Sequence, residues 1–232
     1  MIKATIGGFG KVFAGPKWKK QDYKDLLSLL FQLTKTMKSK GVIALESHIE
    51  KPAESTIFQK YPKVLKDHFA TDFICDTLRM MTMNLEDPHQ IEDAMEKQLE
   101  KHHHEAMAPA HALQKMSDGL PGFGIVAAVL GIIVTMGSIG GDIAAVGAHV
   151  AAALVGTFLG ILLAYGFVSP LAAAIEAQVE QDSRMYESVK TALLACLRGY
   201  NPAVALEFAR KTLPSDVRPP FAEFEAHLKA NK

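Results

Sequence analysis

The sequence is poor in cysteine and has no excess of either charge. Its two cysteines, Cys75 and Cys196, lie far apart and outside any CxxC motif, which predicts a reducing compartment rather than a disulfide framework. The 25 lysines and arginines balance 25 aspartates and glutamates, whereas a nucleic-acid-binding protein would show a basic stripe. The N-terminal MIKATIGGFGKVF has too many glycines and too short an apolar run for a signal peptide.

Motifs of enzymes and nucleotide-binding proteins are missing as well. The sequence has no GxSxG, no Walker-type loop and no HExxH, and each of these motifs supports a specific catalytic or phosphate-binding geometry. Gly7, Gly8 and Gly10 resemble a phosphate loop only superficially, because no strand precedes them and no Lys-Ser/Thr pair follows. We therefore predict no catalytic residue and no cofactor.

One histidine cluster resembles a metal-binding sequence. It comprises His102, His103, His104 and His111, with Glu105 beside them. On a helix His104 and His111 lie two turns apart on one face, so a tetrahedral site would need ligands from elsewhere. A solvated polar face is the favoured interpretation, and no metal site is predicted.

Charge is almost absent from one long stretch of the chain. Between Leu120 and Ile175 the only Asp, Glu, Lys or Arg is Asp142, which separates two apolar runs. Each run is long enough to cross a hydrocarbon core as a helix, which takes ~20 residues. The pattern predicts a membrane hairpin. The alternative is a hairpin buried inside a soluble helical protein, but no other amphipathic segment is long enough to wrap both helices.

Basic residues flank the hairpin on both sides and predict its orientation. They are Lys97, Lys101 and Lys115 before the first run and Arg184 and Lys190 after the second. Because Lys and Arg are enriched in short cytoplasmic flanks, both ends are predicted to be cytoplasmic. The Gly-rich turn at 137–142 is then the outer tip. An aspartate at the bilayer centre would cost roughly 2.5 to 3.5 kcal/mol, so Asp142 is favoured at this tip.

Outside the hairpin, apolar spacing and capping residues predict helices throughout. Candidate helices start at Asp22 and end near Gly41, cover VIALESHIE, run from Asp67 to Met83, start at Asp87, follow the second span, and cover PAVALEFARKTL and FAEFEAHLKA. No segment alternates convincingly as a strand. The predicted class is all-α, with a cytoplasmic helical domain at 1–119, the transmembrane hairpin at 120–175 and a cytoplasmic helical extension at 176–232.

The two spans contain small residues at four-residue spacing. Gly124 with Ala128, and Gly156 with Gly160, would let helix backbones approach closely in lipid. The contact could be made within the hairpin or with other helices. The spans contain no Glu, Lys or Arg, and a proton relay needs a titratable group in the membrane. A chain of this kind that moves ions must take the carboxylate from a partner.

Four segments carry a resemblance to a known family. LPGFGIVAAVLGIIVTMGS, VGTFLGILLAYGFVSPLA, GYNPAVALEFARKTLPSDVRP and ALESHIEKPAESTIFQKYP resemble the MotA-type flagellar stator subunit, within the wider MotA/TolQ/ExbB group. The resemblance implies a homopentamer in the bacterial inner membrane around MotB-like subunits, each with one intramembrane Asp that carries the ion. Ion flow would turn the ring and drive the rotor's switch protein.

The resemblance also implies roles for particular residues of the hairpin. Pro121 and Pro170 match the prolines that couple ion flow to movement. Thr157 matches the hydroxyl that lines the ion path, with Tyr165 as a weaker neighbour. Ala128 occupies a position that is Thr in sodium-driven relatives, which favours proton coupling.

Two residues of the cytoplasmic domain match the family's rotor contacts, Lys38 and Glu46. Many relatives have Arg at the first position, and Lys lacks the planar fork of donors that a bidentate contact needs. The alternative for Lys38 is that it complements a helix C-terminus, and for Glu46 that it lies on a solvated helix face.

The sequence begins where the family's first two membrane helices would already have ended. We expect translation from an upstream start to add two further apolar runs of spanning length. The alternatives are a genuine truncation and a second polypeptide that supplies the missing pair of helices. The alternatives to a stator subunit are an ExbB- or TolQ-like energiser subunit and a membrane scaffold that conducts no ions.

Overall fold

The computed structural model of the chain describes residues 15–83 and 87–230. Within those ranges every regular element is helical, which confirms the predicted class. The α-helices are Lys20–Lys40 (α1), Glu46–Ile49 (α2), Pro62–Leu65 (α3), His68–Thr82 (α4), Pro88–Gly137 (α5), Ile143–Ile161 (α6), Ser169–Leu197 (α7), Pro202–Thr212 (α8) and Phe221–Ala230 (α9). Short 3₁₀ turns lie at Val42–Leu45, Pro52–Glu54 and Phe58–Lys60, and a π-helix spans Leu162–Val168.

Helix α1 starts earlier than the sequence predicts. Lys19 is the N-cap residue, and the Asp22 carboxylate accepts a hydrogen bond from the Lys19 backbone N–H at 2.7 Å. The predicted cap at Asp22 is therefore wrong, because an acidic side chain in the third helical position can reach back to the N-cap amide as in a capping box. The helix ends at Lys40, and Gly41 follows with a φ of 83° that favours glycine.

The predicted starts of α4 and α5 are confirmed by their caps. The Asp67 carboxylate accepts a hydrogen bond from the Ala70 N–H at 2.8 Å, and the Asp87 carboxylate accepts one from the His89 N–H at 3.0 Å. Each carboxylate satisfies an amide that has no partner within its helix.

The chain divides into two compact units, each described here by itself. The helical unit comprises Pro16–His103 and the residues from Glu180 onward, and the hairpin unit is built on His104–Val179. The helical unit has a closed apolar core whose largest members are fully buried: Trp18, Tyr23, Phe58, Phe73, Leu26, Leu27, Leu29 and Leu30. Two ion pairs, Glu96 with Lys190 and Glu92 with Arg198, join the first turns of α5 to the last turns of α7 within this unit.

The hairpin unit turns where the sequence predicts. Helix α5 ends at Gly137 and α6 begins at Ile143, with Asp142 as its N-cap residue. The Asp142 carboxylate accepts a hydrogen bond from the Ala144 N–H at 3.0 Å, and Gly140 has a φ of 102°. The aspartate therefore caps a helix at the tip, where its charge stays outside both apolar runs.

The second half of the hairpin contains a π-helix that the sequence does not predict. Through Leu162–Val168 the helix is wider than an α-helix, and the Ser169 N–H bonds to the Ala164 carbonyl five residues earlier. Pro170, which has no N–H, follows directly. Such π segments are rare and occur frequently at functional sites.

Candidate functional site: the hairpin and the Glu46 turn

The hairpin exposes its large apolar side chains. Helices Pro88–Gly137 and Ile143–Leu197 each contain an apolar stretch long enough to span a membrane, and only 11% of each stretch is buried. Phe123 is 75% exposed and Phe158 is 61% exposed. A core helix of a soluble protein would bury such residues, so these faces need lipid or other membrane helices as their surroundings.

The two hairpin helices are held together through small residues. A Cβ atom added at Gly160 would lie 2.8 Å from the Leu120 carbonyl oxygen, and one added at Gly124 would lie 3.0 Å from the Gly156 carbonyl oxygen. Backbones that approach this closely pack without large side chains between them, as small residues allow in membranes. Gly124, Gly156 and Gly160 thus form contacts within the hairpin.

Two hydroxyl groups add hydrogen bonds across the hairpin. Thr157 Oγ1 donates to the Gly124 carbonyl at 3.2 Å, and the fully buried Ser117 Oγ donates to the Ala164 carbonyl at 2.9 Å. Ala164 is the residue whose carbonyl also accepts the last π-helical bond. Ser117 lies in a charged stretch before the first apolar run, so the sequence around it does not predict this contact.

The five hairpin residues singled out by sequence fall into two groups. Pro121 and Thr157 are half-buried in the stretch where 120–124 packs against 156–160, and Ala128 is half-buried one turn further along α5. Tyr165 lies in the π-helix and is 61% exposed, and Pro170 is exposed at the second position of α7. The first group lies at the helix contact and the second on the outer surface beyond it.

Lys38 lies beside a cleft of the helical unit that the sequence does not predict. The cleft has a volume of about 210 Å³ and is lined by Thr34, Met37, Lys38, Cys196, Gly199, Tyr200 and Pro202. Burial raises the pKa of the Cys196 thiol to about 11, although the positive charge of Lys38 opposes this shift. The GYNP sequence forms one wall of the cleft, where Gly199 adopts a φ of 87°.

Glu46 is the exposed first residue of α2, a helix of a single turn. Three contacts hold this turn: Ile49 is buried in the core, Glu50 pairs with Arg79 Nε at 2.8 Å, and His48 Nδ1 lies 2.8 Å from Ser55 Oγ. Sequence reasoning missed the His48 contact, since Ser55 follows seven residues later, beyond Pro52.

The histidine cluster is divided rather than uniformly solvated. His102 stacks on Phe69 with ring centroids 3.5 Å apart, and His103 Nδ1 lies 3.0 Å from Ser183 Oγ, so both are half-buried in the helical unit. The interpretation as a solvated polar face is therefore wrong for these two, because they lie on the side of α5 that packs against α4 and α7. In the part of the chain that the structure covers, no group of three or more His, Cys, Asp or Glu side chains is arranged to hold a metal ion.

Comparison with known families gives a match over more than half of the chain. Residues 65–188 match the MotA/TolQ/ExbB proton channel family, and residues 1–41 match the family described as motility protein A N-terminal. The chain belongs to the MotA/TolQ/ExbB proton channel family.

Curated relatives extend the likeness to the whole chain. The chain is 45% identical over 231 residues to motility protein A of Escherichia coli, covering 100% of this chain and 78% of that protein. It is 44% identical to motility protein A of Salmonella typhimurium, covering 99% and 78%, and 41% identical to the chemotaxis protein LafT of Vibrio parahaemolyticus, covering 92% and 75%. Within the MotA/TolQ/ExbB family the chain is a flagellar stator subunit.

Solved structures support the fold. The C. jejuni MotAB structure aligns with a TM-score of 0.70 at 20% identity, covering 93% of this chain and 76% of that chain. The flagellar MotAB stator complex from Bacillus subtilis aligns with a TM-score of 0.64 at 23% identity, covering 84% and 69%. Both similar chains come from MotAB structures, and the second is described as a flagellar stator complex.

Proposed function

We propose that this stator subunit works with a MotB-like partner in the bacterial inner membrane and couples proton flow to torque on the rotor. The observation that carries the proposal is the charge pattern of the hairpin. Its one carboxylate, Asp142, caps a helix at the tip, so a proton crossing the apolar stretch needs a carboxylate from another chain. The similar solved chains come from MotAB complexes, which supports a MotB-like source.

The ion path runs beside the contact between the two hairpin helices. Thr157 supplies the hydroxyl, which in the isolated chain donates to the Gly124 carbonyl and has lone pairs that can accept from a hydrated proton. Ala128 lies one turn along α5 without a hydroxyl of its own, and because sodium-driven relatives have Thr at this position, the alanine favours proton coupling. Tyr165 is exposed on the π-helix, where it can line the path together with a partner helix.

Pro121 and Pro170 couple ion flow to movement. Each interrupts the backbone hydrogen bonding of a long helix, and Pro170 is separated by Ser169 alone from the π-helix, whose bonding already departs from the α pattern. A helix with such a break can bend at low cost. The bend transmits a change at the partner's carboxylate to the cytoplasmic end of α7.

The rotor contact is made by Lys38 and Glu46 of the helical unit. Both side chains are exposed, and they lie on opposite sides of the bend at Gly41. Lys38 and Glu46 are each expected to face an opposite charge on the rotor's switch protein, because complementary charges fix the register of an interface. Both ends of the hairpin face the cytoplasm, and five copies of the chain form the ring.

A swimming assay in a stator-null strain tests the proposal. The complete stator with Thr157→Val is expected to swim about tenfold more slowly than the parent, since the loss of one hydrogen-bonding group on the ion path costs about 1.4 kcal/mol. Pro170→Ala is expected to slow swimming as well, because alanine restores a backbone N–H and removes the break next to the π-helix. Matched controls are Pro109→Ala and Thr135→Val. Pro109 lies in α5 before the apolar run, and Thr135 bonds to the Gly131 carbonyl of its own helix.

The controls are expected to swim like the parent. Parent-like swimming of both Pro170→Ala and Thr157→Val, at equal levels in the membrane, would refute ion coupling through this hairpin. A stator with no MotB-like partner in the cell is expected to give no swimming at all.

A further inference from the structure

The turn that carries Glu46 cannot hold its own conformation. Helix α2 has four residues. An isolated helix of that length is unstable, because the free-energy cost of nucleating it exceeds the gain from one turn of hydrogen bonds. Its direction therefore depends on contacts with the rest of the helical unit, of which the His48 contact to Ser55 is one.

The surroundings of Ser55 decide the protonation state of His48. The buried Ser55 Oγ accepts hydrogen bonds from the backbone N–H groups of Ile57 and Phe58, each at 3.3 Å. A hydroxyl has two lone pairs and one proton, so both lone pairs are used and the proton remains. The hydroxyl can donate that proton to His48 Nδ1, which lies 2.8 Å from Ser55 Oγ. This hydrogen bond requires a neutral ring with its own proton on Nε2.

We propose that neutral His48 is a positioning residue for the rotor contact: through Ser55 it holds the turn that carries Glu46, and a protonated ring releases that turn. An imidazolium has donors at both nitrogens and no acceptor. Ser55 could then keep His48 only by giving up a bond to Ile57 or Phe58. The inference rests on the proposed role of Glu46 and adds control by cytoplasmic pH.

Burial and one nearby lysine favour the neutral ring of His48, whereas the carboxylates around the turn favour the charged ring. Glu46 and Glu50 lie on α2 itself. The elements packed against α2 add Arg79 on α4, which pairs with both Asp76 and Glu50, and Glu54, which pairs with Lys51. Burial lowers the pKa of His48, and the positive charge of Lys40 at the end of α1 lowers it further. Acidification of the cytoplasm is therefore needed to charge the ring.

The test measures binding of the complete stator complex to purified rotor switch protein at about pH 7.5 and about pH 5, because the lowered pKa of His48 places its protonation toward the acid end of the range in which histidine titrates. The parent is expected to bind about fivefold more weakly at the lower pH, the effect of losing one hydrogen bond. His48→Asn keeps an acceptor oxygen on a short side chain and does not titrate, so its affinity should stay constant. His48→Leu should bind weakly at both pH values.

His89→Asn is the matched control, because His89 is an exposed histidine of the same unit. This variant should keep the parent's pH dependence. An equal loss of affinity in the parent and in His48→Asn would overturn the inference. Absence of rotor binding by the parent at the higher pH would overturn the proposed function instead. In that case the nitrogen chemical shifts of the His48 ring test the positioning role without the rotor. A proton on Nδ1 would contradict that role.

Discussion

The helical unit and the hairpin unit use apolar residues in opposite ways. In the helical unit Leu30 is 0% exposed and packs among other buried side chains, whereas in the hairpin Leu130 is 57% exposed. The hairpin is held instead by close backbone contact at Gly124 and Gly160 and by hydroxyl–carbonyl bonds. The hydrophobic effect stabilises the helical unit in water. The hairpin unit is stabilised by close helix packing, which does not depend on the hydrophobic effect.

This difference explains why the apolar surface of the hairpin is available for function. Side chains that do not hold the two helices together are free to contact lipid or other membrane helices. The helical unit has the opposite arrangement, since its apolar residues form the core and its exposed residues near the proposed rotor contact, Lys38 and Glu46, are charged. The same chain thus presents an apolar surface on the hairpin and charged side chains on the helical unit.

The largest expected effect comes from comparing the same substitution, leucine to alanine, in the two units. Leu30→Ala should lower the free energy of unfolding by about 2 to 5 kcal/mol, because it leaves a cavity in a closed core. Leu130→Ala should change it by less than about 0.5 kcal/mol, as is usual for an exposed site. Denaturant unfolding of the chain in detergent, followed by circular dichroism, measures both.

Equal losses for the two leucines would contradict the comparison, since they would mean that Leu130 also holds the fold together. The exposed Ile43 in the 3₁₀ turn after α1 offers a control within the helical unit. Ile43→Ala should behave like Leu130→Ala, which separates the effect of burial from the effect of the unit.

A smaller effect is expected from enlarging a glycine at the hairpin contact. A Cβ atom at Gly160 would meet the Leu120 carbonyl oxygen, a backbone atom that cannot rotate away. Gly160→Ala should therefore destabilise the hairpin by about 1 to 3 kcal/mol, the usual cost of overpacking. Gly147 lies on the same helix with nothing within 4 Å of an added Cβ, so Gly147→Ala should leave the melting temperature in detergent unchanged or raise it. A lower melting temperature for Gly147→Ala than for Gly160→Ala would show that the contact is elsewhere.

Features that depend on local composition could be predicted from the sequence. The hairpin, its tip at Asp142 and the caps at Asp67 and Asp87 all follow from neighbouring residues, and the structure confirms them. The π-helix, the Ser117 bond to Ala164 and the His48 contact could not be predicted in this way. The two bonded pairs join residues whose spacing follows no local rule, and the π-helix has no known sequence signature. The half-burial of His102 and His103 likewise depends on what packs against α5.

The smallest expected effect leaves stability unchanged and uses the native thiols to test whether the helical unit is closed. Burial raises the pKa of Cys75 to about 12 and that of Cys196 to about 11, so at pH 8 only about one thousandth of the Cys196 thiol is ionised, and less of Cys75. Since the thiolate is the reactive form, both should react with a water-soluble disulfide reagent far more slowly than free cysteine does. Cys196, beside the Lys38 cleft, should react before Cys75. Addition of denaturant should bring both thiols to the reaction rate of free cysteine. Fast labelling of Cys75 in the native chain would contradict the prediction. It would mean that the core of the helical unit opens to water although its side chains are buried.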